Sequence, residues 1–162
     1  MKLEIRNFSG EKIQLEPRLG LYMVSDLTGT RLPGLAVFLD EITSAGREPY
    51  CALTVSFGKF LGIKNSAYID TNNCAFAKQL LKPEIAQATG IYKARGFCRY
   101  PLWIFSEKFL KEVDAETYRT YAKEYDSYMS RRNPESEEAE ETVPEEEAQE
   151  QTTAANELGG IR

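Results

Sequence analysis

The chain has no histidine among its 162 residues, three cysteines and a single tryptophan. Without an imidazole the usual general base is missing, so Ser-His-Asp and Cys-His chemistry are excluded unless a partner supplies the ring. Cys51, Cys74 and Cys98 are too few and too widely spaced for a disulfide framework or a zinc cage. They read as reduced, mostly packed thiols, and no motif asks for a metal or a cofactor. Carboxylates alone can work as acid and base, but the best pair, Asp40 and Glu41, is adjacent. Adjacent strand residues point to opposite faces, which makes these two solvated or edge charges. No apolar run approaches 18 residues, and Met1-Lys2-Leu3-Glu4 leads straight into alternation with no signal-peptide pattern. The expectation is a soluble, cytoplasmic protein with no membrane partner.

Charge is distributed unevenly. Residues 133–162 hold ten glutamates against one cation, Arg162, while residues 1–132 hold the other nineteen Lys and Arg against fifteen Asp and Glu. The net charge of −5 is thus the sum of a mildly basic body and a strongly acidic tail. Glu, Ala, Gln, Thr and Pro dominate the tail, and Val143, Leu158 and Ile161 stand isolated in it, so little burial is available to offset ordering entropy. Two regions are expected: a globular domain over residues 1–132 and a disordered acidic tail over residues 133–162.

Within the body, Leu3 and Ile5 alternate with charged neighbours, Ser9-Gly10-Glu11 supplies a turn, and Ile13 and Leu15 resume the alternation as an opening hairpin. Residues 19–24 extend a strand, and Thr28-Gly29-Thr30 and Pro33-Gly34 punctuate a loop. Residues 35–42 and 50–57 suit paired antiparallel strands near a sheet centre. Residues 67–70 form a short strand, after which Asp70-Thr71-Asn72-Asn73 resembles a helix start for Phe76, Ala77, Leu80 and Leu81. Pro83 ends or restarts that helix, Thr89-Gly90 makes a stop, and residues 92–96 are a loop. In the aromatic stretch of residues 97–105, Pro101 requires an edge position or a bulge. Ser106 and Glu107 begin a helix, and Asp114 caps a second one. The fold expected is α+β: a mainly antiparallel sheet of five or six strands, with two or three helices in the second half.

No phosphate loop, dinucleotide fingerprint or helix-turn-helix signature is present, and Gly58-Lys59 and Gly62-Ile63-Lys64 lack phosphate-loop spacing. One surface stands out. Lys78 and Lys82 are spaced i, i+4 on the expected helix, and Lys93, Arg95 and Arg99 interleave with Tyr92 and Tyr100. Such a mixture binds phosphates by charge and bases by stacking, or an acidic protein face with Arg and Tyr as anchors. The alternative is an ordinary scatter of surface cations, since the body is far from the strongly basic footprint of a dedicated nucleic-acid binder. Tyr118, Tyr121, Tyr125 and Tyr128 recur at helical spacing. The stripe suits packing onto the sheet, and Tyr121, Tyr125 and Tyr128 are also candidates for an interaction helix, because tyrosine combines contact area with a wet tip.

Several motifs together, Gly34-Leu35-Ala36-Val37, residues 46–55, Ala67-Tyr68-Ile69-Asp70-Thr71-Asn72-Asn73, Thr89-Gly90 and residues 96–103, carry a resemblance over residues 34–105. The chain resembles an uncharacterised family of small proteins from conjugative elements, plasmids and phages of gut Firmicutes. Ser56 stands where that pattern has Asn, a departure that bears on turn chemistry. The resemblance implies a mobile-element accessory protein and a link to Cas9-inhibiting, type II anti-CRISPR proteins. On that basis the expected function is non-enzymatic: binding a host defence nuclease, most concretely guide-loaded Cas9, and hindering target DNA engagement. The alternatives are a nucleic-acid-binding or regulatory accessory factor of a conjugative element, and a self-association module. The sequence leaves the oligomeric state open.

Overall fold

In the computed structural model, which describes residues 1–132, eight strands form two antiparallel four-stranded sheets followed by one α-helix. Met1–Tyr125 is one compact unit, and a second begins at Asp126, whose described part is the last two turns of the helix. The expected acidic tail lies outside the described residues.

The first sheet is a meander, β1 (Leu3–Arg6), β2 (Lys12–Ser25), β3 (Arg31–Thr43) and β4 (Gly46–Ala52), in that spatial order. Period-two alternation drives Leu3, Ile5, Leu15, Leu19, Leu35, Val37 and Leu39 into the core. Pro33 and Gly34, expected in a loop, lie inside β3 opposite Met23 and Tyr22. The proline costs nothing there because β4 pairs only with residues 38–43, so β3 is an edge at Pro33. Gly34 is needed for close approach, since a Cβ at that position would meet Val24 Cγ1 at 3.0 Å.

The single sheet of five or six strands is corrected to two sheets, and the residue responsible is Leu53. The strand expected over residues 50–57 breaks there into β4 and β5 (Thr54–Val55). Leu53 N–H donates to Val37 O at 3.0 Å in the first sheet, and its carbonyl accepts from Asp70 N–H at 2.9 Å beside the second. One buried residue therefore serves both sheets. Thr54 reinforces the corner, with its Oγ1 accepting from Val37 N–H at 3.0 Å and its carbonyl accepting from the Tyr22 hydroxyl at 3.0 Å. The second sheet runs β5, β6 (Ser66–Ile69), β8 (Cys98–Phe105), β7 (Ala86–Arg95). Pro101 is tolerated in β8 because β6 pairs only with residues 102–104, which leaves the strand unpaired on that side at the proline.

The helix count is also corrected. Residues 72–82 make only a four-residue 3-10 turn, Ala77–Leu80. Pro83 allows too short a run to offset nucleation. Asp70 still caps, but of a turn: its Oδ1 accepts from Asn73 N–H at 3.3 Å. Gln79 is turned to another task, accepting from Arg6 N–H at 2.8 Å and donating to Arg6 O at 2.9 Å, so that its amide covers the end of edge strand β1. The end of the expected helical restart, from Ala86, and residues 92–95 of the expected loop belong to β7, because β8 needs a partner along its length. Thr89-Gly90 is a bulge and not a helix stop: the register shifts between Ala88 and Tyr92, Gly90 has φ +81°, and Thr89 Oγ1 donates to Leu102 O at 2.8 Å.

The helix α1 (Glu107–Arg132) is a single element kinked at Asp114, whose φ/ψ of −159°/93° is not helical. The Asp114 carboxylate accepts from Thr117 N–H at 3.0 Å and from Thr117 Oγ1 at 2.6 Å, so the turn after the kink is capped from within. Phe109 stacks on Phe105 at 6.1 Å and Leu110 is fully buried, fixing the first segment to the core.

Candidate functional site

The tip of the β7–β8 hairpin carries most of the residues that the sequence singled out. Lys93 pairs with Tyr100, Arg95 with Cys98, Ala94 with Arg99 and Tyr92 with Pro101. Since directly opposed residues share a face, the hairpin sorts the set into two groups. On one face, Lys93 Nζ lies 5.2 Å and Arg95 Cζ 5.8 Å from the centre of the Phe57 ring, and Tyr100 meets the same ring edge-on at 5.2 Å. Tyr68 packs against Phe57 from another side at 5.5 Å. On the other face, Arg99 Cζ sits 4.6 Å over the ring of Tyr92. Phe97, in the turn, is fully exposed.

Each cation is thus held over an aromatic ring, with Arg95 and Arg99 exposed and Lys93 half-buried. That arrangement limits the rotamer freedom lost when a phosphate or carboxylate binds. Desolvation, and then the hydrogen bond with Cys98, raise the pKa of the Tyr100 hydroxyl above its ordinary value.

Phe57 is the organising residue that sequence reasoning missed. Its neighbours suggest a strand over residues 50–57, whereas it belongs to the irregular segment between β5 and β6. Ser56, the departure from the expected Asn, supports that segment, its Oγ accepting from Gly58 N–H at 3.1 Å where Gly58 takes φ +75°. The segment is held against β2 by Ser25 N–H donating to Gly58 O at 3.0 Å and Phe60 N–H donating to Ser25 O at 2.9 Å. Between it and the sheets lies a cavity of about 210 Å³ whose lining includes Tyr22, Leu35, Phe57, Tyr68, Tyr121 and Lys93. The basic face therefore continues into an apolar recess, with Lys93 belonging to both.

Lys78 and Lys82 are exposed but do not join this site. In a 3-10 turn residues i and i+4 do not stack on one face. Lys82 precedes β7, and from Ala86 to Lys93 is seven residues of strand, on the order of 20 Å at ~3.3 Å per residue. The tyrosine stripe lies inside the chain. Tyr121 Oη accepts from Asn65 N–H at 2.9 Å, Tyr118 Oη donates to Asn65 Oδ1 at 2.9 Å, and Tyr125 packs on Phe60 at 5.5 Å. These bonds hold Asn65 at φ +65°, a left-handed conformation in which asparagine is among the tolerated residues. Burial of Tyr121 and Tyr125 removes them as a contact surface; Tyr128, beyond the boundary of the first unit, is buried as well.

Asp40 is corrected from a solvated charge to a buried one. Its carboxylate accepts from Arg18 Nε at 2.7 Å and Nη2 at 3.3 Å and from Arg47 Nε at 2.9 Å, and Arg47 Nη1 also reaches Glu16 Oε1 at 3.2 Å. A bulge between Leu39 and Asp40 on the β3–β4 side sits beside this network. The role of the cluster is to neutralise Glu16 and Asp40, which face each other across β2 and β3. Among the described residues no group of three or more His, Cys, Asp or Glu side chains could hold a metal ion, and no helix is long and apolar enough to cross a membrane.

No curated protein and no solved structure matches the chain. Residues 32–125, which run from β3 through the hairpin to the tyrosines of α1 and make up more than half of the chain, match a family model described as a domain of unknown function. The chain belongs to the DUF4313 family.

Proposed function

We propose that this protein is a non-enzymatic, cytoplasmic binding protein that presents the β7–β8 hairpin to an anion-rich partner. The observation that carries the reading is the set of three cations pre-positioned over aromatic rings, Lys93 and Arg95 on Phe57 and Arg99 on Tyr92, next to an apolar recess. Phosphates or carboxylates would pair with the cations, and a planar base or an apolar side chain would enter the recess lined by Phe57 and Tyr68. The partner that the sequence resemblance designates is a guide-loaded Cas9 nuclease of a host defence system. Occupying its protein or guide-RNA surface would hinder engagement with target DNA.

The test is a pulldown with guide-loaded Cas9, DNA and RNA in parallel at physiological salt, followed by a cleavage assay. Capture of the nuclease with loss of cleavage is expected, and the triple variant Lys93→Ala, Arg95→Ala, Arg99→Ala should lose both while keeping its melting temperature. Cleavage that continues at saturating protein would sink the nuclease reading.

A second reading, a nucleic-acid-binding accessory factor, is favoured by the two-sided distribution of the stacks, which suits a single strand wrapped around a hairpin. It requires binding to nucleic acid without any nuclease. With three phosphates contacted, the slope of log K against log salt for a single strand would be about −2, and the triple variant would flatten it. Removing residues 133–162 separates the acidic tail from either activity, since a truncated chain with full binding leaves the tail no part in it.

A further inference from the structure

Two of the three cysteines are brought together by the corner between the sheets, although 23 positions separate them in sequence. Cys51 Sγ and Cys74 Sγ lie 3.0 Å apart, and Cys74 Sγ is also 3.4 Å from Ala52 O. Cys51 is the penultimate residue of β4, just before the corner at Leu53; Cys74 follows β6 in the loop that Asp70 caps, its N–H donating to Asp70 O at 2.8 Å. Cys74 is fully buried. Cys51 is partly exposed and lines a cavity of about 330 Å³ together with Arg6, Tyr50, Asn73, Phe76 and Gln79. Tyr50 and Phe76 form one wall of it, with ring centres 5.6 Å apart. A small solute therefore has a route to one sulfur of the pair, while the other waits behind it.

We propose that Cys51 and Cys74 are a reversible oxidation site, a dithiol that a peroxide converts into an intramolecular disulfide stapling the first sheet to the loop that follows β6. The Cys51 thiolate attacks one oxygen of hydrogen peroxide; the O–O bond breaks, the departing hydroxide takes up a proton as water, and Cys51 becomes a sulfenic acid. The Cys74 thiolate then attacks Cys51 Sγ, the S–O bond breaks, and the second hydroxide leaves as water after protonation. Two thiols and one peroxide give one disulfide and two waters. The sulfurs together lose two electrons and the peroxide gains them. Cys74 suits the second role by position, 3.0 Å from the Cys51 sulfur and behind it; the hydrogen bond with Cys74 and then burial raise the Cys51 pKa, so the first step draws on a small thiolate fraction and quickens as pH rises. Cys98 lies on the hairpin, away from the corner, and serves as an internal control.

The consequence is conformational. The staple closes the segment that carries β5 and β6, so it restrains the corner on which both sheets depend. Cross-linking residues at this separation removes chain entropy from the unfolded state, and the oxidised form should melt higher, by on the order of 5 °C or more.

The experiment is a titration of the full chain with hydrogen peroxide, followed by alkylation of remaining thiols under denaturing conditions, intact mass and peptide mapping. The expected product is monomeric, lighter by two hydrogens, alkylated only at Cys98, with a Cys51–Cys74 cross-linked peptide that dithiothreitol releases. Cys98→Ser should behave as the parent chain does, whereas Cys51→Ser and the smaller Cys51→Ala should both lose the cross-link and the rise in melting temperature. Progressive oxidation of Cys51 to sulfinic acid with Cys74 still alkylated would overturn the proposal, as would a disulfide that includes Cys98 or joins two chains.

Discussion

Replacing Asp40 with Asn tests the electrostatic reasoning most directly, because it removes one charge and almost no volume. Asp40 is 6% exposed at its side chain, while its partners Arg18 and Arg47 are 48% and 43% exposed. A bond to a charged group contributes about 1.5–3 kcal/mol when sheltered. Both arginines keep half their surface in water, and screening reduces each to about 1 kcal/mol. The expected loss is therefore about 2 kcal/mol at neutral pH. For a domain of this size that lowers the melting temperature by roughly 6–10 °C.

The pH dependence follows from the direction of the Asp40 shift. The Arg18 hydrogen bond lowers its pKa, burial opposes, and Arg47 lowers it further. The native state consequently binds this proton less readily than the unfolded chain does. The stabilisation is complete above the unfolded value near ~3.9 and disappears as pH falls through the lower folded value. Urea denaturation of the parent chain and the Asp40→Asn variant, from pH 7 downward, should show a gap in midpoint that is constant to about pH 5 and closes in acid. Equal midpoints at pH 7 would show that the pairs contribute nothing. A gap that persists undiminished to the lowest pH at which both fold would assign the loss to shape and refute the charge argument.

Two further substitutions probe what holds the helix and the loop before β6. Tyr121→Phe leaves Asn65 N–H without its acceptor beside a left-handed residue and should cost about 1–2 kcal/mol by chemical denaturation. Asp114→Ala removes the cap from Thr117 N–H and should cost about 1 kcal/mol, read as a lower melting temperature and as faster amide exchange in the turn after the kink.

The strands with clean alternation, β1 and β2, were legible because burial of one face is written into a period of two. Asp114 was legible as a cap for a related reason: a short acceptor next to amphipathic periodicity is a local signal, and the structure uses it at a kink within one helix. Strand β7 was hidden, since its exposed face and its Thr89-Gly90 bulge imitate a helix stop followed by a loop, and only the need of β8 for hydrogen-bond partners makes it a strand. The helix expected after Asp70 failed because Pro83 limits its length and because Gln79 is engaged with strand β1, a long-range contact that no local pattern announces. At the hairpin, interleaved cations and rings were visible in sequence, but Phe57, which anchors two of those cations, comes from a segment some forty residues earlier.

By itself the sequence determined that imidazole chemistry is absent from this chain, that a mildly basic body precedes an acidic stretch, and which short segments alternate strongly enough to bury a face. These properties follow from composition and from neighbours a few residues apart. The tertiary structure decided the rest: that one strand divides at Leu53 between two sheets, that Asp40 is a buried carboxylate between two arginines, that Cys51 and Cys74 share a corner, and that Phe57 lies beneath Lys93 and Arg95. Each of these depends on residues distant in the chain meeting across the core, and such meetings are set by the packing of whole sheets, where the backbone must satisfy every buried donor and acceptor at once.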